Sequence, residues 1–242
     1  MKPHIDLNCD LGEHEAPEQT ELLMQSISSA NIACGGHAGD DDSMERCIFL
    51  ALEHRVNIGA HPGMAQGFGR SAAIPSPTEF LTLIDSQIRR LHSLLPENVR
   101  LHHVKLHGSL YHATDQHREL AEIYTDYMRQ QFPDVIIVVR ANGLTASVAQ
   151  QKQVLLWQEL FLDRAYQADG SLVPRDLPNA CIDEENLICE RIDQWCTRGT
   201  ITATNGIELP LCGQTFCLHG DGPHAASFAR LAKARLLANV LV

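Results

Sequence analysis

The sequence has little that would carry it to a nucleic acid or a membrane. Nineteen Lys and Arg stand against thirty Asp and Glu, a formal net charge of −11. A nucleic-acid surface needs a basic stripe, which this balance does not supply; the same charge opposes docking on anionic lipid. No apolar run is long enough to cross a bilayer. Met1-Lys2-Pro3-His4-Ile5-Asp6 reaches an acidic residue at once, unlike a secretory leader. The eight cysteines never form a C-x-x-C pair, which argues against a structural zinc site and a disulfide frame. Reduced thiols in a cytoplasmic protein are the expectation. Also missing are G-x-x-x-x-G-K-[ST], G-x-S-x-G and H-E-x-x-H, so the chain has no phosphate loop, nucleophile elbow or zincin motif. No linker-like stretch, repeat or low-complexity segment divides the 242 residues, and an α/β barrel reaches this length as one unit. A single (β/α) barrel domain over 1–242 is expected.

What the chain does have is a rhythm. Extended runs at 3–8, 29–33, 56–60, 101–106, 135–139, 154–159 and 215–219 alternate with amphipathic stretches. Met44, Cys47, Ile48, Ala51 and Leu52 recur at helical spacing, with Asp42 and Glu45 as a capping box. Ser76, Pro77 and Glu79 open a better-marked helix whose stripe is Phe80, Ile84, Ile88, Leu91 and Leu95. Pro223 opens a last one through Ala226, Phe228, Ala229 and Leu236. Val135–Val139 is apolar on both faces, as in a covered parallel strand. Thr200–Thr204, an Asn205-Gly206 turn and Ile207–Leu209 read as a β-hairpin inserted before the last strand.

Polar clusters close nearly every extended run. An open doubly wound sheet would gather them at one switch point; a barrel distributes them around one rim. The fold class is therefore a closed (β/α) barrel of seven strands.

Each cluster suggests chemistry. Asp6-Leu7-Asn8-Cys9-Asp10 and Glu13 surround the first strand's end; Asp10 reads as a base, a metal ligand or an anchor for an amine, and Glu13 as loop solvation. Cys34-Gly35-Gly36-His37 offers close backbone approach and N–H donors. His61 sits among small residues, and Arg70 is a carboxylate clamp or a surface Arg. Lys105 and His107, two apart, share one strand face; a Lys inside a barrel is rare unless it works. Glu159, Asp163, Arg164, Tyr166 and Arg175 follow the sixth strand, and His219-Gly220-Asp221 opens a helix whose N-terminus favours an anion. Cys9 and Cys34 read as wall-filling thiols, and His4, His14, His54, His92, His102, His103, His117 and His224 as ordinary histidines.

Taken together, Asp6-Leu7-Asn8-Cys9-Asp10-Leu11-Gly12-Glu13, Asn31-Ile32-Ala33-Cys34-Gly35-Gly36-His37-Ala38-Gly39-Asp40, Gly59-Ala60-His61-Pro62-Gly63, Gly67-Phe68-Gly69-Arg70, Phe161–Tyr166 through Arg175, and His219-Gly220-Asp221 resemble the LamB/YcsF family, the A subunits of 5-oxoprolinase. The likeness runs from the first strand to the last, with departures at Leu106, Ser109 and His112 and a shortened loop at Met64-Ala65-Gln66. It implies a barrel of the glycoside hydrolase/deacetylase type. It also implies ATP-dependent opening of 5-oxoproline to glutamate, with the B and C subunits as partners and ATP, taken with Mg, handled by or shared with them.

On this reading Asp10 with His61 or His107 supplies base and acid. Lys105, Arg70 and Arg164 hold carboxylate or phosphate, and His37 with the Gly35-Gly36 backbone stabilises developing charge. Asn8, Glu159, Asp163, Arg175, His219 and Asp221 complete the substrate-binding set. Two other readings use the same pocket: a stand-alone metal-assisted amidohydrolase or deacetylase with Asp10, His37 and His61 as ligands, and a non-catalytic subunit that binds a small acid.

Overall fold

The computed structural model describes residues 5–70, 73–222 and 224–240. Seven parallel strands close a barrel in the order β1 (Asp6–Leu11), β2 (Ser29–Ala33), β3 (Asn57–His61), β4 (His103–Lys105), β5 (Ile136–Arg140), β6 (Leu156–Phe161) and β9 (Thr215–His219). The helices between them are α1 (Pro17–Met24), α2 (Asp41–His54), α3 (Pro77–Leu94), α4 (Gly108–Gln116), α5 (Arg118–Gln131) and α6 (Leu144–Gln151). Beyond β6 come α7 (Glu185–Arg198), the antiparallel pair β7 (Thr200–Thr202) and β8 (Glu208–Pro210), then β9 and α8 (Ala225–Val240). All seven expected strands are present, and the barrel closes through β1 pairing with β9. Among the described residues no helix is long and apolar enough to span a membrane.

Local chemistry explains most boundaries. Ser76 and Glu79 form the expected reciprocal capping box, and Phe80, Ile84, Ile88 and Leu91 are buried. On α2 the cap lies two residues earlier than expected: Asp40 and Ser43 form the box, not Asp42 and Glu45. A serine hydroxyl at the third helical position reaches back as well as a carboxylate does. β1 begins at Asp6 and runs through Leu11 rather than ending at residue 8, so Asp10 lies within the strand. The hairpin is present with a different turn. Only Gly206 is left-handed (φ +84°), and Gly206 N–H donates to Ala203 C=O while Ala203 N–H donates to Ile207 C=O. That is a three-residue loop with a glycine bulge, because a two-residue turn would need Asn205 at positive φ too. Pro223 and His4 lie outside the described residues.

Strand alternation divides the barrel wall sharply. Leu7, Cys9, Leu11, Ile32, Ile58, Val104, Ile137, Leu160, Phe216 and Leu218 belong to the apolar cluster shared with Leu23, Met44, Phe80, Ile84 and Ile88 of the helices. The alternate residues meet inside and are largely polar. Asp6 accepts from Ser29 Oγ (2.6 Å) and Thr215 Oγ1 (2.5 Å). Asn8 donates to Thr215 Oγ1 (2.7 Å), Asn31 donates to both Asn8 and Asp10 (2.7 Å each), and His103 meets Asn31 Oδ1 at 2.7 Å. Barrels of this type are usually filled by branched aliphatics. Here much of the axis is a hydrogen-bonded column, which is tolerable because its members satisfy one another.

Candidate active site

The top of this column is the candidate site. Lys105, at the C-terminal end of β4, is only 3 % exposed. Its Nζ lies 2.8 Å from Asp10 Oδ1, 3.3 Å from Asn8 Oδ1 and 3.1 Å from Cys217 Sγ. It also stands 2.9 Å from Glu159 Oε1, as an ion pair off the hydrogen-bond line. Tyr111 donates to the other oxygen of Glu159 at 3.0 Å. Burial works against the Lys105 charge, but Asp10 and its other anionic neighbours outweigh it and hold its pKa well above the usual value. Burial likewise pushes the Asp10 carboxyl up, yet His61 and Lys105 bring it well below the carboxylate range. The centre is therefore a fixed arrangement of buried charges, where electrostatic interactions are strong.

Beside it four side chains converge. His61 ends β3, His107 stands just before α4, and His37 and Glu13 come from the loops after β2 and β1. Glu13 Oε1 lies 2.9 Å from His37 Nε2, 3.0 Å from His107 Nδ1 and 3.6 Å from His61 Nε2. His107 Nδ1 and His61 Nε2 are 2.9 Å apart, and Asp10 Oδ2 is 3.4 Å from His61 Nε2. His61 Nδ1 is anchored on the Lys105 carbonyl at 2.7 Å. The His37 and His107 rings stack face to face, centroids 3.6 Å apart. The glycines of the β3–α3 loop make this possible: a Cβ on Gly63 would stand 2.3 Å from His37 Nδ1, and one on Gly69 2.4 Å from His107 Cδ2. Burial pushes His107 down to about 4 and also lowers His37, keeping both rings neutral. His61 goes the other way: burial opposes its charge, but the Asp10 and Glu13 carboxylates raise its pKa. These four donors form the best candidate for holding a metal ion among the described residues.

The rim carries the remaining groups. Asp163 takes both the backbone N–H and Nδ1 of His219 at 3.0 Å. Its carboxyl, raised by burial, is brought below its ordinary value by His219. Arg70 and Arg175, from loops on different sides of the mouth, approach the same Asp221 oxygen at 3.8 and 3.6 Å. Both contacts are loose enough to exchange for an incoming anion.

The structure thus gathers Asn8, Asp10, His37, His61, Lys105, His107 and Glu159 at one end of the barrel, with Asp163, His219, Arg70, Arg175 and Asp221 around its mouth. The Arg164 guanidinium donates to the carbonyls of Ala180 (3.3 Å) and Val173 (2.5 Å), so Nε and Nη2 hold together the excursion between β6 and α7. Glu13, read as loop solvation, is the hub of the histidine group. Asn31, which drew no role, and His103, read as ordinary, hold the base of Asp10. The i, i+2 spacing of His103 and Lys105 is the one signal that could have placed His103 inside the barrel.

The chain matches the LamB/YcsF family over residues 5–241. It is 35% identical over 238 residues to the A subunit of 5-oxoprolinase from Brevibacillus brevis, covering 96% of this chain and 94% of the relative. It is 40% identical over 227 residues to its counterpart from Pyrococcus abyssi, covering 91% and 89%. Among solved structures, the lactam utilization protein of Thermus thermophilus superposes with a TM-score of 0.87 at 32% identity, covering 97% of this chain and 96% of that one.

Proposed function

The chain belongs to the LamB/YcsF family, and from that membership we propose that it is the A subunit of an ATP-hydrolysing 5-oxoprolinase. It opens the lactam of 5-oxoproline to L-glutamate together with B and C subunits. The observation that carries the reading at the level of residues is the buried Lys105, pinned between Asp10 and Glu159 at the barrel mouth. A barrel interior accepts such a charge at a desolvation cost that function repays.

A five-membered lactam is a stable amide, so its hydrolysis needs activation and coupling. The sequence has no phosphate loop, and the partner subunits bring ATP with Mg to the reaction. This chain's residues then bind, orient and move protons. Arg70 and Arg175 hold the anionic group of the substrate at the rim. Lys105 stabilises charge developing on the carbonyl oxygen. Asp10, beside His61, takes the proton of the attacking water as its oxygen bonds to the carbonyl carbon. His219, oriented by Asp163, returns a proton to the ring nitrogen as the C–N bond breaks and that nitrogen becomes the amino group of glutamate.

The test is glutamate release from 5-oxoproline, measured with this chain alone and with its B and C subunits, each with and without ATP. Release should require all three subunits and ATP. Equal release when this chain is omitted would remove it from the reaction.

A further inference from the structure

We propose that Glu13, His37, His61 and His107 form a binding site for one divalent transition-metal ion, of the kind that takes three imidazoles and a carboxylate. The ligand set differs from the Asp10, His37 and His61 trio suggested by sequence: Glu13 and His107 join, and Asp10 stands beside the site.

Spacing is the first argument. Zinc-type ions hold nitrogen and oxygen donors at about 2.0–2.2 Å in a tetrahedron, which sets neighbouring donors about 3.3–3.6 Å apart. Glu13 Oε1, His37 Nε2, His61 Nε2 and His107 Nδ1 stand at 2.9, 2.9, 3.0 and 3.6 Å in the contacts they share. All the donor atoms lie within 4.8 Å of one another.

Proton bookkeeping is the second. The Lys105 carbonyl only accepts, so His61 Nδ1 carries a hydrogen. His107 Nδ1 then faces two partners, Glu13 Oε1 at 3.0 Å and His61 Nε2 at 2.9 Å. If His107 donates to Glu13, the facing His61 Nε2 carries either a lone pair, which also looks at carboxylate oxygens of Asp10 and Glu13 at 3.4 and 3.6 Å, or a second hydrogen, which meets the His107 hydrogen head on. If His107 instead accepts from His61, its own lone pair faces Glu13. Each hydrogen arrangement sets like against like somewhere, lone pair against lone pair or hydrogen against hydrogen. A cation among the four atoms attracts all of them.

The surroundings fit the same role. The bond from His61 Nδ1 to a backbone carbonyl is the outer contact that orients metal-bound imidazoles and fixes their tautomer. Gly63 and Gly69 press the His37–His107 stack from the loop side, where a Cβ would meet either ring at 2.3–2.4 Å, so the donors are held before any ion arrives. Three imidazole nitrogens with one carboxylate favour zinc, iron, nickel or cobalt over magnesium or calcium. Such an ion supplies Lewis acidity toward a carbonyl or a water.

The experiment uses the untagged chain without substrate or partner subunits, so the metal assignment and the lactam reading can fail separately. Protein dialysed against chelator is titrated with Co2+ and followed by visible absorption, with zinc competition and elemental analysis of the chain as isolated. One equivalent of Co2+ with the intense bands of a four-coordinate site, displaced by zinc, is expected. Glu13→Gln and His37→Ala should weaken it at least ~100-fold, beyond the range typical of outer-shell losses. Cys217→Ala, which breaks the neighbouring Asp10–Cys217–His219 group, should leave it intact. Circular dichroism checks folding, and zinc-induced shifts of the three imidazole resonances in the unsubstituted protein provide a readout free of variants. No cobalt uptake, binding unchanged in both ligand variants, or loss only in Cys217→Ala would overturn the proposal.

Discussion

Gly59 on β3 is the register partner of His103 on the neighbouring β4, and the imidazole lies so close over it that a Cβ on the glycine would stand 2.1 Å from His103 Nε2. That nitrogen holds Asn31, whose amide in turn holds Asp10. Gly59→Ala should therefore push the imidazole off Asn31 and destabilise the fold by about 1–3 kcal/mol, as overpacking does. Urea midpoints measure the loss, and His103→Ala in the same chain should recover part of it. A Gly59→Ala protein as stable as the parent would show that the ring is not wedged.

Lys105→Met should be severe. It removes the cation between Asp10 and Glu159 and leaves two buried carboxylates facing each other. Breaking a buried pair from one side costs about 3–5 kcal/mol. Lys105→Met with Glu159→Gln should be more stable than Lys105→Met alone, a coupling that a double-mutant cycle reads directly. Strict additivity of the two changes would contradict the ion-pair account.

The pH response of His103 has a definite sign. Burial, reinforced by the nearby charges of His102, Lys105 and His61, holds its pKa well below 6.5. Unfolded, the same ring takes a proton near pH 6.5. Between the two values the unfolded chain binds more protons, so this contribution to stability is complete at neutral pH and drains away as pH falls. The slope is about 1.4 kcal/mol per pH unit for one proton. His61, whose pKa is raised, is charged in both states below pH 6.5, so its contribution is complete there and adds no slope. In chelated buffer, His103→Gln should show a shallower loss of stability as pH falls below about 6.5. In NMR spectra the His103 ring signal should shift only well below pH 6.5.

At the rim the effects should be kinetic. Arg70 and Arg175 touch Asp221 only loosely. Each Arg→Ala change should leave stability within about 0.5 kcal/mol. In the assembled oxoprolinase it should raise KM about 10-fold with kcat nearly constant, the mark of lost ground-state binding. A drop in kcat at unchanged KM would assign these arginines to chemistry instead.

The fold was legible because its signals are local. Ser76-Pro77 with Glu79 states a helix start within four residues, and Val135–Val139 announces a covered strand. Lys105 and His107 were legible as a pair because strand geometry puts residues two apart on one face. The rest depends on closure. Asn31 and His103 touch only because β2 and β4 curve around one axis, a relation between residues 72 positions apart. Glu13 depends on a bend: Gly12 takes φ +72°, and Glu15 grips the backbone N–H groups of Gly12 and Glu13 at 2.6 and 3.1 Å, turning the next carboxylate inward. Arg164 has the composition of an anion clamp, and only the folded excursion around it presents the carbonyls that occupy it.

The polar column bears on how such a sequence drifts over generations. Asp6, Ser29 and Thr215 complete one another's hydrogen bonds at its foot, although they come from opposite ends of the chain. An apolar replacement of Asp6 takes the acceptor from both hydroxyls at once, so tolerated change there must come in concert. Inheritance at these three positions should look like a linked haplotype within the protein, while the greasy outer wall of the same strands wanders freely among Val, Ile and Leu.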